Sequence, residues 1–241
     1  MDINENLLGF WPVNKGSGVV AYDKSIHGND GALEGDNPTW VPGKSGKCIN
    51  FPGANERINC GNPSPLDTIG NGSFWLSLWM QSPDEVPLNY GALFSKYQSG
   101  SDYFLFRSWS TDNRLCLRFM KGGVGMGSIV SFSADTTPFD TEFNHIVLEI
   151  NRITDKAILY MNKVKDSVEI DISSVPIDAS NTGNVSWGAW HDGSNPYEGL
   201  QDELRIYSGL PTLEKIEFLH TYPSGIAIPT RIHHLRQQKV A

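Results

Sequence analysis

Several things are scarce in this chain, and each scarcity closes a class of protein. Cysteine occurs three times in 241 residues. An odd, small number cannot build a disulfide framework. No uninterrupted apolar run approaches the length of a membrane-spanning helix, so insertion into a bilayer by helices is not expected. Positive charge is also short: 19 Lys and Arg against 27 Asp and Glu leave a net charge of −8. A nucleic-acid binder needs the opposite balance on its binding face, so no nucleic-acid partner is expected. The opening Met1-Asp2-Ile3-Asn4-Glu5-Asn6 has neither a basic nor an apolar segment, so a standard secretory signal is not expected.

Helical periodicity is nearly absent as well. What is present is a succession of short apolar or alternating runs separated by Gly, Pro, Asn and Asp clusters. They cover Leu7–Val13, Lys47–Phe51, Arg57–Cys60, Phe74–Gln81, Ala92–Tyr97, Tyr103–Ser108, Arg114–Met120, Ser128–Ser133, Asn144–Asn151, Lys156–Asn162, Asn184–Trp190 and Glu198–Tyr207. A dozen such segments predict an all-β sandwich or barrel. One short C-terminal helix is expected over Leu213–His220, with Thr212 as its N-cap. The body, residues 1–222, reads as one domain. Residues 223–241 read as a basic tail, with Arg231, Arg236 and Lys239, plus His233 and His234, and no acid. The tail carries +3 and the body −11. It is either a solvated terminus or an arm that docks on an acidic partner, such as a capsid or other assembly protein.

An ordered set of motifs resembles the laminin-G-like, concanavalin A-like jelly-roll domains. It opens with Gly9-Phe10-Trp11-Pro12-Val13, Ala21-Tyr22-Asp23-Lys24-Ser25, Gly28-Asn29-Asp30-Gly31 and Gly43-Lys44-Ser45-Gly46-Lys47-Cys48-Ile49-Asn50-Phe51. It continues through Phe74–Trp79, Leu93–Lys96, Asn144–Val147 and Leu159–Asn162, and closes with Tyr197-Glu198-Gly199-Leu200-Gln201-Asp202-Glu203-Leu204-Arg205-Ile206-Tyr207. The resemblance implies a concanavalin A-like jelly-roll β-sandwich. It does not fix a function, because lectins, adhesion modules and hydrolases share that fold.

Strand parity suggests a cation site. In Leu200–Tyr207, strict alternation puts Leu200, Asp202, Leu204 and Ile206 on one face, apolar apart from Asp202. An inward carboxylate needs a cation or several donors. Asp23 and Asn29 sit in a loop rich in oxygen ligands, which suits Ca²⁺. The resemblance implies the same pairing, one calcium between that loop and the last strand, ligated by Asp23, Asn29 and Asp202. The same residues also admit Asx-turns at Asp23 and Asn29, with Asp202 accepting backbone N–H groups.

Catalysis finds no support. Hydrolases of this fold carry two Glu flanking an Asp on one strand. The nearest run, Glu169-Ile170-Asp171-Ile172-Ser173, lacks the second Glu, so an acid or a nucleophile is missing. Glu169 and Asp171 read as the solvent face of a strand whose core face is Val168, Ile170 and Ile172. Gly122–Gly127 reads as a hairpin connection rather than a phosphate loop, and His145 as a packed structural residue. Cys48 and Cys60 flank the Gly53–Asn55 turn, where a hairpin would set them opposite each other as a bridge or as two thiols.

The loop Trp187–Tyr197 combines aromatic, planar polar and turn residues. Trp190, His191, Asp192, Asn195 and Tyr197 offer an aromatic face for sugar C–H groups and polar groups for hydroxyls. In the other reading, Trp187 and Trp190 cap the end of the sandwich. The functional expectation is a non-catalytic, calcium-stabilised, lectin-like binding or adhesion module for a cell-surface glycan or glycoprotein. It would act extracellularly or on a virion surface. The alternatives are a virion decoration protein docked through its tail, whose Pro229-Thr230-Arg231 resembles the ends of phage-encoded proteins of this fold, and a diverged glycoside hydrolase.

Overall fold

The computed structural model describes residues 2–82, 90–109, 114–132, 139 and 141–225. The chain begins with β1 (Leu7–Trp11), β2 (Val20–Ala21), β3 (Gly31–Glu34), β4 (Thr39–Pro42), β5 (Lys47–Pro52) and β6 (Arg57–Gly61). A single helical turn, α1 (Ser64–Asp67), precedes β7 (Phe74–Gln81), β8 (Ala92–Ser99), β9 (Asp102–Trp109), β10 (Arg114–Lys121) and β11 (Val124–Ser131). Then follow β12 (Asn144–Asn151), β13 (Lys156–Met161), β14 (Val164–Lys165), β15 (Ile170–Asp171), β16 (Asn184–Trp187), β17 (Glu198–Ser208) and α2 (Leu213–Thr221).

The strands form two antiparallel sheets. One has the order β14-β13-β12-β7-β17-β5-β4, with β1 also paired to β17 and β15 to β13. The other runs β11-β10-β9-β8-β16-β6-β3-β2. Non-consecutive neighbours such as β7–β17 and β8–β16 give the crossed connectivity of a jelly roll. Alternation is what folds the strands: in β7 the side chains of Phe74, Leu76, Leu78 and Met80 enter the core between the sheets. Phe94, Phe104, Phe106, Leu115 and Leu117 meet them from the facing sheet.

The first sheet is buried on both sides. Its outer face carries Trp75, Val147, Ile158, Tyr160 and Tyr207, which pack on Leu7 and on Ile216 and Leu219 of α2. Trp75 stacks on Tyr207 with centroids 3.9 Å apart and planes 3° apart. The Thr212 hydroxyl accepts from the Lys215 N–H at 3.1 Å, so the N-cap lies where the sequence predicts it. His145 is buried on this outer face, with Nε2 2.9 Å from Ser77 Oγ and its ring stacked on Trp79.

Some expectations change. Cys48 lies in β5 and Cys60 in β6, which belong to different sheets, so the turn between them is an arch and not a hairpin. All three cysteines are buried, and none forms a disulfide with another. Val168 is exposed rather than part of the core, while Ile170 and Ile172 are buried. Asp171 pairs with Lys156 and Glu169 with Lys165, the solvent-side role assigned to the two acids. The Gly-rich stretch turns at Gly122 and Gly123 and joins β11 from Val124 onward.

Candidate functional site

The expected calcium ligands fall into two groups. Asp23 follows β2, and its carboxylate is buried against the edge of β1. Oδ1 accepts from the N–H groups of Phe10 and Ser25, both at 2.8 Å. Oδ2 accepts from Ser25 Oγ at 2.7 Å and from the Asn29 N–H at 2.8 Å. Asn29 donates its side-chain amide to Leu8 O, and its carbonyl accepts from Trp11 Nε1. Four donors occupy the acceptor sites of Asp23.

Asp202 is fully buried, but not on the predicted face. In β17 it pairs with Trp79, whose ring points outward, while Gln201 pairs with the inward Met80 and Ile49. Glu203 then adopts a left-handed φ of 54°, and the pairing with β7 gains one residue before Arg205. This bulge reverses the parity. Leu204 and Ile206 therefore point inward, although Asp202 two residues earlier points out. The inward polar residue is Gln201, whose amide donates across the sandwich to Leu93 O at 3.3 Å.

Asp202 lies under the Gly43–Ser45 loop and accepts from the Ser45 N–H at 2.9 Å. Its Oδ1 is buried with no hydrogen-bond partner among the described residues. Glu203 is buried beside it and paired with Arg205 at 2.8 Å. Burial pushes the Asp202 carboxyl up to about 7, with the neighbouring Glu203 adding to the rise. Burial also raises Glu203 to about 7, against the pull of Arg205. Arg205 favours the ionised form of Glu203, and burial favours the neutral form of Asp202.

The three residues therefore do not fit the implied ion. Asp23 is committed to N–H and O–H donors, and Asp202 bonds a different loop. Among the described residues no three His, Cys, Asp or Glu side chains gather in a metal-ligand arrangement.

The loop after β16 does assemble an aromatic surface. His191 stacks on Tyr97 of β8 at 4.2 Å with planes 9° apart, and Trp190 lies at 5.8 Å from the same ring. Tyr97 stacks in turn on Tyr103 of β9 at 6.0 Å. Trp190, His191, Asn195 and Tyr97 are half-buried, and Asp192 is exposed. A Trp190 N–H to Ser194 O bond and a Gly193 N–H to Trp190 O bond close the loop. Asp192 accepts from both the N–H and the hydroxyl of Ser194, and these bonds, Ser194 Oγ first, hold its carboxyl below the usual range. Trp190 Nε1 and His191 Nδ1 have no partner among the described residues.

Tyr197 departs from the expectation. It is 0% exposed, donates its hydroxyl to Gln81 O at 2.8 Å and belongs to the core. The loop turns at Asn195, φ 48°, and sends the next aromatic inward. Trp187 is likewise core, packed edge-on against Trp11 and Phe94. Tyr97 is the surface residue that the sequence reading missed. Its signal was parity in β8, where Phe94 enters the core and Tyr97 does not. Arg231, His233, His234, Arg236 and Lys239 lie outside the described residues.

The model of the concanavalin A-like lectin/glucanases superfamily matches residues 53–217, about two thirds of the chain. Among curated proteins none matches the chain. Solved structures share the fold. Domain 4 of AbnA, a GH43 extracellular arabinanase from Geobacillus stearothermophilus in complex with arabinotriose, superposes with a TM-score of 0.65 at 16% identity, over 89% of this chain and 98% of that one. The binding domain of Paraclostridial Mosquitocidal Protein 1 gives 0.66 at 18% identity, over 91% and 52%. The binding domain of Botulinum neurotoxin DC in complex with rat synaptotagmin II gives 0.67 at 13% identity, over 91% and 52%. The chain thus spans about half the length of these toxin domains.

Proposed function

For a chain that belongs to the concanavalin A-like lectin/glucanases superfamily, we propose a non-catalytic binding module whose ligand is a glycan or a glycoprotein, met outside the cell. The observation that carries this reading is the Tyr97–His191–Trp190 surface with its rim of Asp192 and Asn195. Aromatic faces cover sugar C–H groups, and the rim of Asp192 and Asn195 serves hydroxyls. The loop is held by its own hydrogen bonds, so ligand binding would order little. Two proteins of similar fold form complexes with a saccharide, arabinotriose, and with a protein, synaptotagmin II. The incomplete carboxylate set, with Glu169 and Asp171 each paired to a lysine, speaks against glycoside hydrolysis.

A glycan array with the wild-type protein and Trp190→Ala tests the proposal. Saccharide binding by the wild type that the variant loses supports it; no bound saccharide, or equal binding by both, refutes it. The tail's positive charge against an acidic body supports, by composition alone, a compatible role as the attachment arm to an assembly.

A further inference from the structure

A second cleft, sharing no residue with that surface, lies where the chain passes between the sheets after β1. It measures ≈ 300 Å³ and is lined by Pro12, Val13, Asn14, Lys15, Tyr22, Lys24 and Trp40. That volume is at the lower end for small-ligand sites, about 300 Å³ and upward. Two aromatic rings are fixed in it. Trp40 packs on the core and donates its indole N–H to Gly18 O at 2.8 Å. Tyr22 is 39% exposed. Lys15 Nζ lies 4.7 Å and Lys24 Nζ 5.4 Å from the centroid of Tyr22, and Lys15 also reaches the Tyr22 hydroxyl at 3.4 Å.

Two ammonium groups thus share one ring, in a protein with an excess of acid. Among the described residues neither has a carboxylate within ion-pair distance, whereas Lys121, Lys156, Lys165 and Lys215 each do. The nearby Asp23 is not available to them, because its oxygens are taken by Phe10, Ser25 and Asn29. Val13, in the wall of the cleft and 2% exposed, holds a φ of 45° that a β-branched residue rarely adopts.

We propose that this cleft binds an acidic saccharide: a sugar ring laid on Tyr22 and Trp40, with its carboxylate or sulfate between Lys15 and Lys24. The cations select the anion, and the rings select a carbohydrate over a bare ion. This site stands independently of the Trp190 surface, and its failure leaves that reading untouched.

The test is calorimetric titration of the full chain with a galacturonate oligosaccharide, a sulfated disaccharide, lactose and inorganic sulfate. The expected result is binding of at least one acidic saccharide, weakened by salt, and weakened about tenfold or more in the double variant Lys15→Gln, Lys24→Gln and in Tyr22→Ala. The exposed-lysine control Lys165→Gln binds as the wild type does. Which acidic saccharide binds distinguishes a carboxylate from a sulfate ligand. No binding of either acidic saccharide, equal binding of lactose, unchanged binding in the Lys15/Lys24 variant, or sulfate binding as tightly as the sugars overturns the proposal. Both lysines and Tyr22 are exposed, so the variants fold, which their melting temperatures verify.

Discussion

Replacing Asp202 with Asn isolates the buried acid under the Gly43–Ser45 loop. The Asp202 carboxyl is raised from 3.8 to about 7 by burial and by Glu203. A carboxyl whose folded pKa lies above its unfolded value adds stability that is complete below the unfolded pKa. That stability is lost as pH rises towards the folded one. The window is therefore roughly pH 4 to 7. One pKa unit corresponds to about 1.4 kcal/mol, so the loss reaches at most about 4 kcal/mol. Relaxation around the loop reduces it. Asn keeps the volume and still accepts from the Ser45 N–H, but has no charge to bury. In urea denaturation across this range, the stability of Asp202→Asn minus that of the wild type should grow by about 1 kcal/mol or more between pH 4 and 7 and then level off. His145, held well below its usual pKa by burial, lowers stability on the acid side, but it is common to both proteins and cancels. A flat difference refutes the reasoning. A difference that falls with pH refutes it more strongly, because it shows an ionised Asp202 that has found a cation.

Further outcomes follow from the same geometry. Chelator should leave the melting temperature unchanged, since Asp23 is satisfied by four hydrogen bonds; a drop of several degrees that added calcium reverses would restore the ion to the early loop. Gly43→Ala should destabilise the fold by about 1–3 kcal/mol, because its Cβ would stand 2.6 Å from Asp202 Oδ2 and 2.7 Å from Cys48 Cβ; a melt within a degree of wild type contradicts that packing.

The long strands were legible because alternation and burial coincide in them: every segment from Phe74–Gln81 to Glu198–Tyr207 holds a strand or part of one, although Asn184–Trp190 is strand only as far as Trp187 and Ser128–Ser133 runs past the end of β11 to Ser133, outside the described residues. The short strands β2, β3 and β4 were not. They occupy two to four residues among Gly, Asp and Asn, and pairing rather than propensity creates them. The cation argument failed at one residue. Alternation assumes an unbroken strand, and nothing in Asp202-Glu203-Leu204 announces the left-handed φ at Glu203 that turns Asp202 outward. In the loop Trp187–Tyr197, composition identified Trp190, His191, Asp192 and Asn195 as surface candidates. It could not tell Tyr197 from them, because the reversal at Asn195 decides which aromatic enters the core. The Lys15–Tyr22–Lys24–Trp40 cleft was invisible because its lining comes from separate segments that meet only when β1, β2 and β4 are in place.

The central claim is that a saccharide lies on the Tyr97–His191–Trp190 surface. The most direct measurement is a titration of the protein with its best array saccharide, followed by NMR at the Trp190 indole N–H. The Trp190 ring lies against Tyr97, so a saccharide on that surface changes the surroundings of its indole. Its resonance should shift saturably while those of the buried Trp11 and Trp187 stay in place. An unmoved Trp190 signal under conditions where the saccharide binds would contradict the account.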